Sequence, residues 1–189
     1  MSSRLIVNSI RHTGASSDAI TFDNTGKCAF PNNTGNILQV VEHAFTTETS
    51  STSTSSVSIG GSSKTLTLTS STSKVLILAN IYCWHTRSYS GQGMDLKIQR
   101  TVGGSATDIY VPKSGFNGRM FFFDTSQLAG TTGRGMQLLM HLDSPSNTSV
   151  TYELYGTGYT SSNSATWAVN RTDNGDTATS SIVFMEVAG

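Results

Sequence analysis

Apolar residues in this 189-residue chain recur with a period of two, the spacing of a β-strand, and no stretch carries the period of an amphipathic helix. The longest apolar run is Val75-Leu76-Ile77-Leu78-Ala79-Asn80-Ile81-Tyr82-Cys83-Trp84. Read in alternation, Val75, Ile77, Ala79, Ile81 and Cys83 fall on one side, and Leu76, Leu78, Tyr82 and Trp84 on the other, with Asn80 the one polar interruption. A strand on a half-solvated sheet alternates apolar with polar, so this one is expected to be covered on both faces. The core of a sandwich supplies one cover. With no helix available, another copy of the chain is the expected second cover, the alternative being the chain's own loops.

The same pattern divides the rest. Leu5–Ile10, Ala19–Phe22 and Lys27–Phe30 are short strand candidates, the last two joined across Asp23-Asn24-Thr25-Gly26 as a hairpin. Three such strands bury too little to stand alone, so residues 1–36 are expected to be a docking or oligomerisation segment. Its candidate contact residues are Leu5, Ile6, Val7, Ile10, Ile20, Phe22 and Phe30. Pro31–Asn36 reads as a linker. The main domain, 37–189, opens with Ile37–Phe45. Thr46–Ser58 is nearly all Ser and Thr and is expected to be a loop, with a short strand around Val57–Ile59. Leu66–Thr69 and Met94–Arg100 alternate cleanly, the latter with Met94, Leu96 and Ile98 inward. Gly103-Gly104 turns the chain back towards Ile109–Val111. Met120–Phe123 and Gln137–Leu142 are apolar on both faces. Val150–Tyr155 precedes a long Gly/Ser-rich excursion, Gly156–Thr179, and Ser181–Ala188 is expected to be a central closing strand. Eight to ten strands separated by turn signals predict an all-β protein, an antiparallel sandwich of jelly-roll type.

Composition narrows the function. The net charge is zero and 13% of residues are charged, which argues against nucleic acid and against an anionic membrane surface. Roughly three residues in ten are Ser or Thr, so hydroxyls replace charges at the surface. No run reaches the length of a membrane-spanning helix, and no apolar core of signal-peptide length opens the chain, so assembly in a cytoplasm is expected. Cys28 and Cys83 both sit in apolar strand patterns and read as buried, reduced thiols.

No catalytic constellation stands out. Gly-x-Ser-x-Gly is absent, and His12, His43, His85 and His141 are too dispersed for a metal site by spacing, so neither catalysis, metal nor cofactor is expected. Asp95, Asp108, Asp124, Asp143 and Glu153 are scattered acids, and Glu42 and Glu186 lie in strands whose alternation can turn them outward. Tyr89, Phe116, Tyr159 and Trp167, held among Gly, Ser and Asn, are candidate contacts for a glycan or protein receptor; the competing reading folds these rings back as caps of the sandwich.

Ser3–Ile10, followed by Ala19–Asp23 and the Gly26 turn, resembles the N-terminal segment of virion proteins of tailed phages, especially those infecting marine cyanobacteria. Ser180–Ala188 resembles the closing strand of tail-fibre and related appendage domains in the same phages, and Asp143–Tyr152 fits that pattern. The resemblance implies a trimeric virion appendage whose N-terminal segment docks to other tail or head proteins and whose jelly roll projects outward to contact the host surface. With only Pro31–Asn36 in place of a shaft between the two parts, it is expected to be a stubby fibre, a fibre tip, or a decoration protein of the head or tail. A head decoration or cementing protein, and a lectin-like or polysaccharide-hydrolysing module, are the alternatives.

Overall fold

A computed structural model describes residues 7–22, 24–25, 28–29, 35–86, 92–111, 121–123, 132–159, 166–172 and 178–189. Among these, every regular element is a strand: β1 Ser9–Ile10, β2 Ile20–Phe22, β3 Cys28–Ala29, β4 Ile37–Phe45, β5 Thr49–Ser51, β6 Val57–Ser58, β7 Lys64–Thr67, β8 Lys74–Thr86, β9 Gln92–Val102, β10 Ser105–Tyr110, β11 Phe121–Phe123, β12 Thr132–Asp143, β13 Ser149–Tyr159, β14 Trp167–Val169 and β15 Ser180–Val187. All pairings are antiparallel.

The order of pairing defines the fold. In the first sheet β12 pairs with β8, the other edge of β8 takes β15 and β14, and these take β4 and β5. In the second sheet β10 and β11 share one edge of β9, β13 takes the other, and β7 and β6 share the far edge of β13. Merging the strands that share an edge leaves eight lanes, ordered 1-8-3-6 in one sheet and 2-7-4-5 in the other. That interleaving is a jelly roll. The expected central place of the last strand holds, since β15 lies between β4 and β8. Residues β1–β3 form a separate three-stranded sheet.

Alternation places the core as the sequence predicts. Val75, Ile77, Ala79, Ile81 and Cys83 from β8 face Met94, Leu96 and Ile98 from β9 and Val150, Tyr152 and Leu154 from β13, all buried in one cluster. Tyr152 stacks on Phe184 with ring centroids 5.5 Å apart, and its hydroxyl donates to Asp143 Oδ2 at 2.8 Å. Arg100 Nη1 donates to the other oxygen at 2.8 Å, so this buried acid is paired. Gly103 and Gly104 have φ of 56° and 82° and make the two-residue turn from β9 to β10, a conformation open to glycine at both positions.

Four expectations change. The Ser/Thr tract is not all loop, because Thr49–Ser51 pairs with β14. The Gly/Ser-rich excursion is shorter than its composition suggests, because β13 runs on to Tyr159 and Trp167–Val169 is a strand. Glu186 turns inward and is buried. Its Oε1 accepts from Thr69 N at 2.7 Å and Thr69 Oγ1 at 2.6 Å, and Oε2 from Gln39 Nε2 at 2.7 Å. Burial pushes this carboxyl up, but hydrogen bonding from Ser73, Thr69 and Gln39 outweighs it and leaves the pKa below the usual value. Cys28 is exposed, on a small sheet that among the described residues pairs with neither sheet of the sandwich, whereas Cys83 is buried and its thiol is pushed up to about 12 by desolvation.

Candidate functional site: one apolar sheet face and one polar

The outer faces of the two sheets differ in kind. On the first sheet the register lines up Met140, Leu78, Val183 and Glu42 in one row across β12, β8, β15 and β4, and Leu142, Leu76, Met185 and Val40 in the next. The row above is Leu138, Asn80, Ser181 and Ala44. Residues directly opposite in an antiparallel pair share a face, so these rows form one continuous surface on which apolar side chains predominate. Exposure is highest on the two edge strands: Met136, Leu138, Met140 and Leu142 on β12 are 48%, 71%, 66% and 52% exposed, and Val40 on β4 is 58% exposed. At about 4.8 Å between strands and about 6.8 Å between rows, four lanes and three rows project to about 400 Å². An exposed face of this extent on which apolar side chains predominate is a candidate contact surface. The face ends at Trp84, which is buried beneath the Arg171 guanidinium 3.8 Å from its ring centroid.

The outer face of the second sheet is polar. Along β9 the outward residues are Asp95, Lys97, Gln99 and Thr101, paired across to Thr157, Tyr155, Glu153 and Thr151 on β13. Lys97 Nζ donates to Asp108 Oδ2 at 2.8 Å, and Gln99 Nε2 to Asp108 Oδ1 at 3.0 Å. The hydrogen bond from Lys97, then that from Gln99, holds the Asp108 carboxyl below the usual carboxylate range. Lys97 also lies 5.2 Å from the Tyr155 ring centroid, and the Tyr155 hydroxyl donates to Glu153 Oε2 at 3.1 Å. Ser58 Oγ donates to the other Glu153 oxygen. Between Ser56, Asp95, Lys97, Asp108, Val111 and Thr157 lies a cavity of about 270 Å³. Sequence spacing did not bring these acids together; the β9–β10 hairpin and the β9–β13 pairing do.

The aromatic contacts expected from the sequence do not converge. Trp167 is fully buried, which corrects its reading as an exposed recognition residue. Its ring crosses from the first sheet into a notch made by two glycines of β13. A Cβ on Gly156 would lie 2.5 Å from Trp167 Cζ3, and one on Gly158 2.8 Å from Cδ1. Trp167 Nε1 donates to Ser53 O at 3.1 Å, so the indole is a core wedge with its polar edge satisfied. Tyr159 is the last residue of β13 rather than a loop residue. Tyr89 and Phe116 lie outside the described residues, as do Leu5, Ile6 and Phe30 of the N-terminal segment. In that segment Val7 and Ile10 are exposed, and Ile20 and Phe22 are half-buried.

Among the described residues no group of three His, Cys, Asp or Glu is placed to hold a metal ion, and no helix is long and apolar enough to cross a membrane. His85 points inward at the end of β8, and neither ring nitrogen has a hydrogen-bond partner among the described residues. Burial lowers its pKa to about 4.

No family model and no curated protein matches the chain. Solved structures that match include several from infectious bursal disease virus. The Gx strain structure is 12% identical with a TM-score of 0.37, covering 96% of this chain and 42% of that one. The VP2 subviral particle is 12% identical with a TM-score of 0.34, covering 81% and 38%. The T13 viral particle is 11% identical with a TM-score of 0.37, covering 95% and 40%. The chain thus spans about two fifths of the length of these capsid chains. At this distance the likeness assigns neither a family nor an activity.

Proposed function

We propose that this chain is a structural subunit of a virion, a short homotrimeric tail-fibre-like appendage of a tailed phage that docks to the particle through residues 1–36. The observation that carries the reading is the apolar outer face of the first sheet, centred on Leu138 and Met140. A lone sandwich gains by burying one face of each sheet and has no use for oil on the other. Packing this face around a threefold axis buries it against two further copies, and the polar second sheet is left facing solvent. The resemblance of both chain ends to phage appendage proteins supports the same assignment.

The test is sedimentation at micromolar concentration. The wild-type chain is expected to sediment as a trimer, and Leu138→Asp with Met140→Lys to sediment as a monomer whose thermal midpoint remains cooperative. A folded wild-type monomer at that concentration would overturn the reading. Gold-labelled copies on intact particles then place the protein on the tail; labelling of the head shell would replace the appendage with a decoration protein.

A further inference from the structure

The small sheet β1–β3 is apolar on one face and polar on the other. Its register sets Ile10 opposite Ile20 and Phe22 opposite Cys28, and Phe22 N donates to Asn8 O at 2.9 Å. Directly opposite residues share a face, as do alternate positions of one strand. Ile10, Ile20, Phe22 and Cys28 therefore lie on one side together with Asn8, while Ser9 and Thr21 lie opposite one another on the other side. Among the described residues the apolar side carries no charge, and it is incompletely covered: Ile10 is 49% exposed, Cys28 is exposed, and Ile20 and Phe22 are half-buried.

The size of this face decides what can cover it. Three strands and two rows, at about 4.8 Å and about 6.8 Å, project to about 200 Å². A stable interface takes about 800 Å² from each partner, so the face is too small to hold a separate protein by itself. It is large enough for copies already held together elsewhere, because a second contact between tethered bodies is intramolecular. The fold supplies the tether and its direction. Gly35 N donates to Ala188 O at 2.9 Å and Ala188 N to Asn36 O at 2.8 Å. The chain thus leaves the sandwich at the β4 edge of the first sheet, beside Ile37, which is 58% exposed. That sheet carries the apolar outer face. The residues from Ala29 to Gly35 reach at most about 20 Å, which keeps each small sheet near the contact its own sandwich makes.

We propose that the small sheets of three assembled copies pack on one another about the same threefold axis, turning Ile10, Ile20, Phe22 and Cys28 inward and Ser9 and Thr21 outward. The occupant of each apolar face is the same face of the other two copies. This rests on the trimeric reading above and adds an order of events to it. The N-terminal segment gains a core only after the sandwiches assemble, since three short strands do not hold alone. Its polar exterior, the surface left to meet the particle, is therefore complete in trimers and not in single chains.

Cys28 is the probe, because Cys83 is buried. The full chain is treated with N-ethylmaleimide, labelling of Cys28 is followed by mass spectrometry, and the same samples are sedimented. In wild-type trimers Cys28 should react at least about tenfold slower than N-acetylcysteine amide. In the Leu138→Asp, Met140→Lys monomer it should react about as fast as that free thiol. Ile20→Asp and, separately, Phe22→Asp should sediment as trimers, since neither residue belongs to the sandwich, yet label fast. Wild-type trimers whose Cys28 labels like the free thiol would overturn this proposal and leave the trimer standing; a wild-type monomer would remove both. Protection that persists in the Leu138→Asp, Met140→Lys monomer would overturn it by showing that the chain's own sandwich covers the face. Protection that appears only when virions are added would overturn it in favour of a particle protein. So would slow labelling in both Asp variants, or loss of the trimer in both, which would make the small sheet the source of assembly and not its result.

Discussion

Two buried ionisable residues give the protein separate responses to acid. His85 has its pKa lowered to about 4 by burial, against an ordinary 6.5. The unfolded chain therefore binds this proton more readily than the folded one between those values, and stability falls as pH drops from about 6.5 towards 4, by up to about 3 kcal/mol. Glu186 works in a lower window. Its folded pKa lies below the ordinary carboxylate value, so its contribution is complete above that value and is lost as pH falls through the folded pKa. Thermal midpoints measured from pH 7 down to 3 should decline in two stages. His85→Phe should flatten the upper stage, and Glu186→Gln the lower. A single stage untouched by either substitution would contradict this assignment. Neither role was legible locally: Glu186 sits in an ordinary strand pattern, and its partner Thr69 is 117 positions away.

At the scale of elements, the packing of β14 against β13 depends on what is missing from β13. Gly156 and Gly158 leave the space that the Trp167 ring occupies. Gly156→Ala places a methyl group against aromatic carbons that cannot yield without moving the sheet. The expected cost is about 1–3 kcal/mol, a fall of roughly 3–10 °C in the thermal midpoint for a chain of this length. Combined with Trp167→Leu, the same substitution should cost much less, because the clash is gone; strict additivity would show that the two sites are uncoupled. Alternation alone made β8, β9, β12, β13 and β15 readable, since their inward residues repeat every second position. It could not reveal β14, a three-residue strand inside a Gly- and Ser-rich stretch whose stability comes from the notch and from Asn170. That asparagine has φ of 55° and donates to Phe45 O at 3.0 Å while its Oδ1 accepts from Ser180 Oγ at 2.6 Å. Nor does alternation contain lane order, which is set by long-range pairing; the class of fold was readable while the jelly-roll interleaving needed the structure.

For the molecule as a whole, among the described residues the core cluster draws its buried members from Phe45 onwards, and β1–β3 pair with one another and not with either sandwich sheet. Removing residues 1–36 should leave the thermal midpoint of the sandwich within a few degrees of the full chain. On the proposed function it should also abolish attachment to particles, measured by co-sedimentation with virions; a truncated chain that still attaches would assign docking to the sandwich itself. The contrast between the two sheet exteriors has a further effect on a single chain in solution. It is a flat slab, greasy on one side and wetted on the other, and such a slab behaves as a surfactant. An isolated copy is expected to lie down at a boundary between air and water with Leu138 and Met140 turned to the gas.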